Sequence, residues 1–260
     1  IKWVDDKKFE KKLSDAVSLR LRSDVPIAVL LSGGVDSTII SAICFKNSEN
    51  DLTPEAFTFS SKDEEDESIF ASEVAKKLSM KLNTVTQIIN YKDFRSNLSD
   101  MVQRMGRCHS SPAIMNVDQL YKAAKSKSYK VVLDGQGADE LLAGYKHYHP
   151  ILLLKYIKRL DFKNILNVLK DWNKRGFVTI TIEFLRLTMP TPLKKIGRFF
   201  YGYEKFFTQK RFSQNSHLFK ENKQIFKNQD SFNKYLINQH NIGLLNLLYY
   251  GDIIAMQSSI

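Results

Sequence analysis

The stretch LLSGGVDSTII (residues 30–40) decides the fold. With the residues before it, IAVLL (27–31) has the length and unbroken apolarity of a strand covered on both faces. Ser32-Gly33-Gly34 breaks that strand, and STIISAICF (37–45) resumes as a helix. Two adjacent glycines at a strand end are costly unless the backbone needs the room. Backbone N–H groups crowding toward an anion at a helix N-terminus would need it, and there the helix dipole adds about half a positive charge. An ordinary strand–turn–helix connection with a capping Ser or Asp is the other reading. The loop is no Walker A sequence, and no G-x-G-x-x-G is present. Asp36 inside an anion-binding turn would repel phosphate, unless a divalent cation held by oxygen ligands lies between them.

Working outward, the apolar spacing of Phe9, Leu13, Ala16, Val17 and Leu21 predicts a helix over 6–22. AFTF (56–59), NTVTQII (83–89) and KVVLD (130–134) read as further strands. Helices are predicted over 66–80, 92–105, 115–125 and 138–145. Strands alternating with helices at this rhythm predict an α/β fold, a parallel sheet flanked by helices. Ligands of such sheets sit beyond the carboxyl ends of the strands. After Pro150 leucine, isoleucine and phenylalanine fall among lysines, a helical pattern without strands. The expected division is therefore an α/β domain over 1–150 and a basic, mainly helical region over 151–260. The chain opens on Ile rather than Met and stops inside an apolar, helix-like stretch, as expected of a piece of something longer.

Composition narrows the class. Of 260 residues 43% are hydrophobic, which excludes wholesale disorder. The net charge of +11 is uneven: residues 1–150 carry 21 basic and 21 acidic side chains, residues 151–240 carry 18 and 6. No aromatic–basic recognition motif accompanies the excess, so solvated lysine-rich helices are expected and nucleic acid is not an expected partner. No apolar run approaches the roughly 20 residues that cross a bilayer, and the N-terminal residues have no signal-like apolar core. Cys44 and Cys108 stand apart without metal or redox spacing. A cytoplasmic chain with reduced thiols and no membrane partner is the expectation, with Cys44 in the core.

A second glycine turn follows the fourth strand in LDGQGADELLAGY (133–145). Gly135 and Gly137 again permit close backbone approach, with Asp134, Asp139 and Glu140 around them. Asp139 and Glu140 fall in the first turn of a helix, where the dipole alone favours a carboxylate. Three acids beside glycines after a buried strand exceed what capping requires.

Taken together, S-G-G-V-D-S (32–37) and G-Q-G-A-D-E-L-L-A-G-Y (135–145) resemble the synthetase domain of glutamine-dependent asparagine synthetases. The first motif is similar to the pyrophosphate loop of the wider ATP-pyrophosphatase group, which includes GMP and NAD synthetases and tRNA-modifying ligases. The second is nearly restricted to asparagine synthetase and its relatives. LRLRSDVPIAVLLSGGVDS (19–37), AFTFSS (56–61) and Asp66-Glu67 add to the likeness, which covers 8–147 well and the basic region loosely. LLYYGDIIAM (247–256) weakly resembles the segment before the family's E-x-R-x-P-F-[LI] motif. The fold implied is the adenine nucleotide α-hydrolase-like, pyrophosphate-loop ATPase type.

The resemblance implies ATP-dependent, AMP-forming amide synthesis. A carboxylate, aspartate first among candidates, would attack the α-phosphate of ATP, and ammonia would then displace AMP. Ser32, Gly33, Gly34 and Ser37 would hold pyrophosphate. Asp36 and Asp139 would carry Mg²⁺. Leu31, Phe59 and Gly135 would surround the adenosine, with Asp134 nearby. Phe59 stands where the family usually has a smaller aliphatic. Gln136 stands where members commonly carry a Glu implicated in the ammonia-dependent step, and a glutamine cannot act as a base. Two readings follow, a branch that amidates another carboxylate or an impaired enzyme. The family's glutaminase domain, which begins at a catalytic cysteine, is expected to be absent from this chain, leaving ammonia to a glutaminase domain or partner elsewhere. His109, Ser110 and Ser111 fall where the family has a loop near its substrate pocket. A tRNA-modifying ATP-pyrophosphatase and a non-catalytic nucleotide-binding regulatory domain are the alternative readings.

Overall fold

The structure, a computed structural model, describes residues 5–48, 53–61, 66–86, 91–106, 113–145, 148–175, 181, 184 and 231–260. The chain divides into two compact units, Ile1–Ala138 with Leu244–Ile260, and Asp139–Gly243.

The first unit is built on β1 (Ile27–Leu30), β2 (Glu55–Ser60), β3 (Leu82–Thr86) and β4 (Val131–Leu133). All pairings are parallel and the spatial order is β3-β2-β1-β4, with Leu30 opposite Phe57 and Val29 opposite Leu133. Helices α1 (Asp6–Arg20), α2 (Val35–Asn47), α3 (Ser68–Lys77), α4 (Tyr91–Met105) and α5 (Ile114–Ser126) connect or precede these strands. The parallel sheet read from the alternation of strands and helices is thus present. The chain steps from β1 to β2 to β3 on one side, and β4 then returns to the other side of β1. Strand order therefore reverses at β1, and a crevice opens beyond the carboxyl ends of β1 and β4.

Period-two alternation of β1 feeds both layers. Val29 and Leu31 point into a core with Val17 of α1, Cys44 of α2, and Ala71 and Ala75 of α3. Ala28 and Leu30 point to the opposite face, with Phe57, Leu120, Ala124 and Tyr129. Cys44 is fully buried, and burial pushes its thiol up to about 11, so it behaves as a core residue. Cys108 lies outside the described residues.

Several element ends differ from the sequence reading for local reasons. Helix α3 starts at Ser68 rather than 66, because Asp66 accepts the Ser68 N–H at 2.9 Å and acts from outside the helix. Ser79 then takes a left-handed φ of 50° just past its end. Strand β3 is described only to Thr86, and residues 87–89 of the expected strand lie outside the described residues. LLYYGDIIAM belongs to a helix, Leu245–Gln257, that returns to the first unit and packs Ile254 against Met101, Met105 and Met115.

In the second unit, α6 (Ala138–Leu142, entered from the first unit) leads to α7 (Tyr148–Lys158), α8 (Phe162–Arg175) and α9 (Ser231–Asn238), with a π-helical segment at Gln239–Leu244. The helix over 245–257 is α10. Helices α7 and α8 pack through Leu153, Val168 and Ile165. Among the described residues no strand follows β4. The helix expected over 138–145 ends at Leu142, because Ala143 takes a left-handed φ of 62°. Among the described residues no helix is long and apolar enough to cross a membrane.

Candidate functional site

A cleft of about 470 Å³ opens at the carboxyl ends of β1, β2 and β4. Leu31, Ser32, Asp36, Ser37, Phe59, Asp134, Gly135 and Gln136 line it, eight of the residues singled out in the sequence. Gly33 and Gly34 complete the loop beneath Ser32 and Asp36 without lining the cleft. Asp139 opens the second unit and is described there. His109, Ser110 and Ser111 lie outside the described residues.

The loop is organised by its own hydroxyls. Ser37 Oγ accepts the Ser32 N–H at 3.2 Å and donates to the Gly34 carbonyl at 3.2 Å. The Ser32 and Ser37 hydroxyls are 3.0 Å apart, and Ser32 Oγ accepts the Gly34 N–H at 3.3 Å. Leu31, 1% exposed, still donates its N–H to the Phe57 carbonyl at 2.9 Å, so the strand carries its order into the turn. Gly33 has φ 82°, and a Cβ there would lie 2.6 Å from the Ala71 nitrogen and from Phe70 Cβ. The loop therefore seats on the first turn of α3 only because residue 33 is glycine.

Helix α2 begins after Gly34, which offers no side-chain cap, and its first helical bond runs from the Thr38 N–H to the Gly34 carbonyl at 3.0 Å. The N–H groups of Val35, Asp36 and Ser37 therefore have no intrahelical acceptor, at the positive end of a 13-residue helix. Such an end holds phosphate or carboxylate oxygens.

The second glycine turn closes onto this helix start. A Cβ on Gly135 would lie 2.8 Å from the Ser37 nitrogen and 2.9 Å from the Asp36 carbonyl carbon. Asp134 accepts the Gln136 N–H at 3.1 Å, which bends the chain and leaves the Gln136 side chain exposed. Asp134 is exposed at the cleft, yet partial loss of hydration raises its pKa; the Gln136 N–H pulls it back, and the charge of Asp252 raises it further. Tyr121 of α5 is pushed up to about 12, by burial first and then by Asp134 and Asp252.

The cleft also recruits residues that the sequence did not single out as site residues. Ser61, Asp66 and Glu67 form one side, and Asn116, Val117 and Leu120 of α5 another. Asp66 is held by the Ser60 hydroxyl and the Ser68 N–H. A signal for Asp66 and Glu67 exists, two acids where a helix opens. Asn116 carries none, being one polar residue on an amphipathic helix.

Among the described residues no three His, Cys, Asp or Glu side chains form a metal cluster. Mg²⁺ does not need one, since it commonly takes one or two carboxylates and completes its shell with phosphate oxygens and water. Asp36 in the cleft wall fits that pattern as a single oxygen donor beside an anion-ready helix end. The open cleft mouth, Gly135's missing side chain and the bare N–H groups of α2 likewise fit a polyphosphate.

The family model described as Asparagine synthase matches residues 8–260. A glutamine-hydrolysing asparagine synthetase of Bacillus subtilis is 31% identical over 156 residues, 59% of this chain and 24% of that protein. Asparagine synthetase B of Escherichia coli, also glutamine-hydrolysing, is 28% identical over 160 residues, 56% of this chain and 28% of that protein. The matched segment thus spans about a quarter of the length of these curated relatives. A solved structure of an NH3-dependent NAD synthetase from Campylobacter jejuni is similar over 55% of this chain and 61% of that one, with 18% identity and a TM-score of 0.39. With the model matched from residue 8 to the last residue, the chain belongs to the asparagine synthase family.

Proposed function

We propose that this chain is the ATP-using part of an amide-forming ligase that adenylates a carboxylate and passes the acyl group to ammonia. The observation that carries this reading is the meeting of the two glycine turns at the strand-order reversal, where Gly135 lies against Ser37 and Asp36.

In that reading Ser32, Gly33, Gly34 and Ser37 hold the pyrophosphate portion of ATP. The bare N–H groups of Val35 and Asp36 add fixed dipoles that need no reorganisation as charge builds on the departing oxygens. Leu31, Phe59 and Gly135 surround the adenosine, with Asp134 at its rim. Asp36 and Asp139 would hold Mg²⁺, which when bound supplies Lewis-acid stabilisation of phosphate charge. The substrate carboxylate enters from the open side and attacks the α-phosphorus. Its oxygen forms the new P–O bond as the bond to pyrophosphate breaks. Ammonia then attacks the acyl carbon, and AMP leaves.

Gln136, which lines the cleft, carries an amide rather than a carboxylate, so it can orient a substrate by hydrogen bonds but cannot take the proton lost by ammonia. Aspartate is the first candidate substrate, and a related carboxylate is the second because of this residue. The ammonia source is a glutaminase domain or partner.

The test is product analysis with the full-length protein, ATP, Mg²⁺, ammonium and a panel of carboxylates headed by aspartate. The reading expects AMP and pyrophosphate in equal amounts with one amide. Release of ADP and phosphate, or ATP binding without turnover on any carboxylate, would replace it with a different ligase chemistry or with a regulatory role.

A further inference from the structure

The motif A-D-E-L-L-A-G-Y (138–145) joins residues five apart in the second unit. Gly144 donates its N–H to the Asp139 carbonyl at 3.1 Å across the left-handed Ala143, which closes the helix in the manner of a Schellman turn. The same closure lays the Asp139 carboxylate over residue 144. A Cβ there would collide with Asp139 Oδ1 and stand 2.9 Å from its Cγ.

The next residue forms the matching pair. Glu140 is 3% exposed and its Oε1 accepts the Tyr145 hydroxyl at 2.8 Å, while its Oε2 is buried with no hydrogen-bond partner among the described residues. Burying a carboxylate is expensive, and an apolar side chain would fill the same space at lower cost. What the carboxylate adds is a fixed acceptor for Tyr145. The Tyr145 ring in turn stacks on Tyr148, with centroids 5.8 Å apart and planes at 24°. Tyr148 meets Tyr235 of α9 edge-on at 5.6 Å. Burial first, then the bond to Glu140, hold the Tyr145 hydroxyl above the usual phenol range, so it remains a donor.

A helix of five residues cannot fix its own direction, because its few backbone bonds barely offset the cost of nucleation. We propose that Gly144, Glu140 and Tyr145 are positioning residues that aim the Asp139 carboxylate, with the Tyr145–Tyr148–Tyr235 stack tying that aim to helices α7 and α9. The proposal rests on the reading of Asp139 as a contact to Mg²⁺ on ATP. Through that stack α7 and α9 brace the segment that carries Asp139. Glycine at 144 leaves room for the Asp139 carboxylate, and a methyl group there would push that carboxylate aside.

The experiment is calorimetric binding of ATP to the full-length protein, with Mg²⁺ and with EDTA, and without any carboxylate substrate. The variants are Tyr145→Phe, Gly144→Ala and Asp139→Asn, each with a thermal melt. Tyr145→Phe removes one oxygen and with it the donor to the buried Glu140 carboxylate, so its melt should fall while the protein stays folded at the temperature of the binding measurement. The expected result is metal-free ATP binding within about twofold of the parent in Tyr145→Phe and Gly144→Ala. Affinity for ATP with Mg²⁺ should fall about tenfold in Tyr145→Phe and Gly144→Ala, the scale of one lost bond to a charged group. If Asp139→Asn loses the Mg²⁺-dependent affinity while Tyr145→Phe keeps it, the positioning proposal is overturned and the reading of Asp139 stands. If Asp139→Asn binds ATP with Mg²⁺ like the parent, the reading of Asp139 falls and takes the proposal with it. Equal losses with and without Mg²⁺ in Tyr145→Phe would mean a merely structural contact, which also overturns it.

Discussion

Gly135, at the end of β4, sits so close to Ser37 in the first turn of α2 that a Cβ would come within 2.8 Å of the Ser37 nitrogen. The obstacle is backbone, which cannot swing aside as a flexible side-chain tip can. Gly135→Ala should therefore part the turn after β4 from the start of α2 and destabilise the protein by about 1–3 kcal/mol. Gly251 of α10 is the control, since a Cβ there meets nothing within 4 Å among the described residues. Gly251→Ala should stabilise by about 0.5–1 kcal/mol, as alanine does in a helix interior. Urea midpoints of the two variants check this, and shifts in the same direction would contradict the close approach.

The wall of the cleft formed by α5 is held by an ion pair behind it. Asp118, 2% exposed, accepts two bonds from the Arg104 guanidinium at 3.2 and 3.1 Å and lies 2.7 Å from Lys122 Nζ. Burial opposes its charge, but these partners outweigh it and hold the carboxyl below its usual range. Arg104 also donates to Gln257 Oε1 at 3.0 Å, and Gln257 returns a bond to the Arg104 carbonyl at 2.8 Å, so α4, α5 and α10 meet at one point. Arg104→Met takes two bonds from a buried carboxylate and leaves Lys122 as its charged partner, so it should cost about 1.5–3 kcal/mol. Arg104→Met with Asp118→Leu should cost much less, because replacing both charges with apolar groups is often near neutral. Denaturant unfolding of the single and double variants decides it, and additive losses would contradict the pairing.

Acid should weaken the opposite end of the sheet. Burial would raise the Glu55 pKa, but hydrogen bonds from Lys81, Asn83 and Lys127 bring it down from 4.5 to about 2. A carboxylate whose folded pKa is depressed stabilises the protein above its unfolded pKa and loses that contribution as pH falls through the folded one. Stability should therefore drop between pH 4.5 and about 2. Glu55→Gln should flatten that part of the curve and lower stability above pH 4.5, where the parent keeps the contribution, as read from urea midpoints across pH. Parallel curves for parent and variant would contradict it.

Much of this arrangement is legible in sequence because glycine pairs next to unbroken apolar runs have few other uses. IAVLL fixed β1, and the second turn with its acids marked β4 as its partner at the cleft. What stays hidden depends on contacts far apart in the chain. Nothing local to LLYYGDIIAM says that it returns to pack against α4 and α5. The stop of α6 at Leu142 comes from the left-handed Ala143 and the bond from the Gly144 N–H back to the Asp139 carbonyl, which periodicity does not carry. Asn116 reaches the cleft only because α5 crosses the sheet beside Phe57 and Phe59.

The measurement closest to the central claim is isotopic exchange between pyrophosphate and ATP, with the full-length protein and a panel of carboxylates. Adenylation predicts exchange that needs a carboxylate and falls about a hundredfold or more in Asp36→Asn, a loss comparable to removing one preorganised transition-state contact. Exchange without any carboxylate, undiminished exchange in Asp36→Asn, or no exchange with any carboxylate despite retained ATP binding would contradict it.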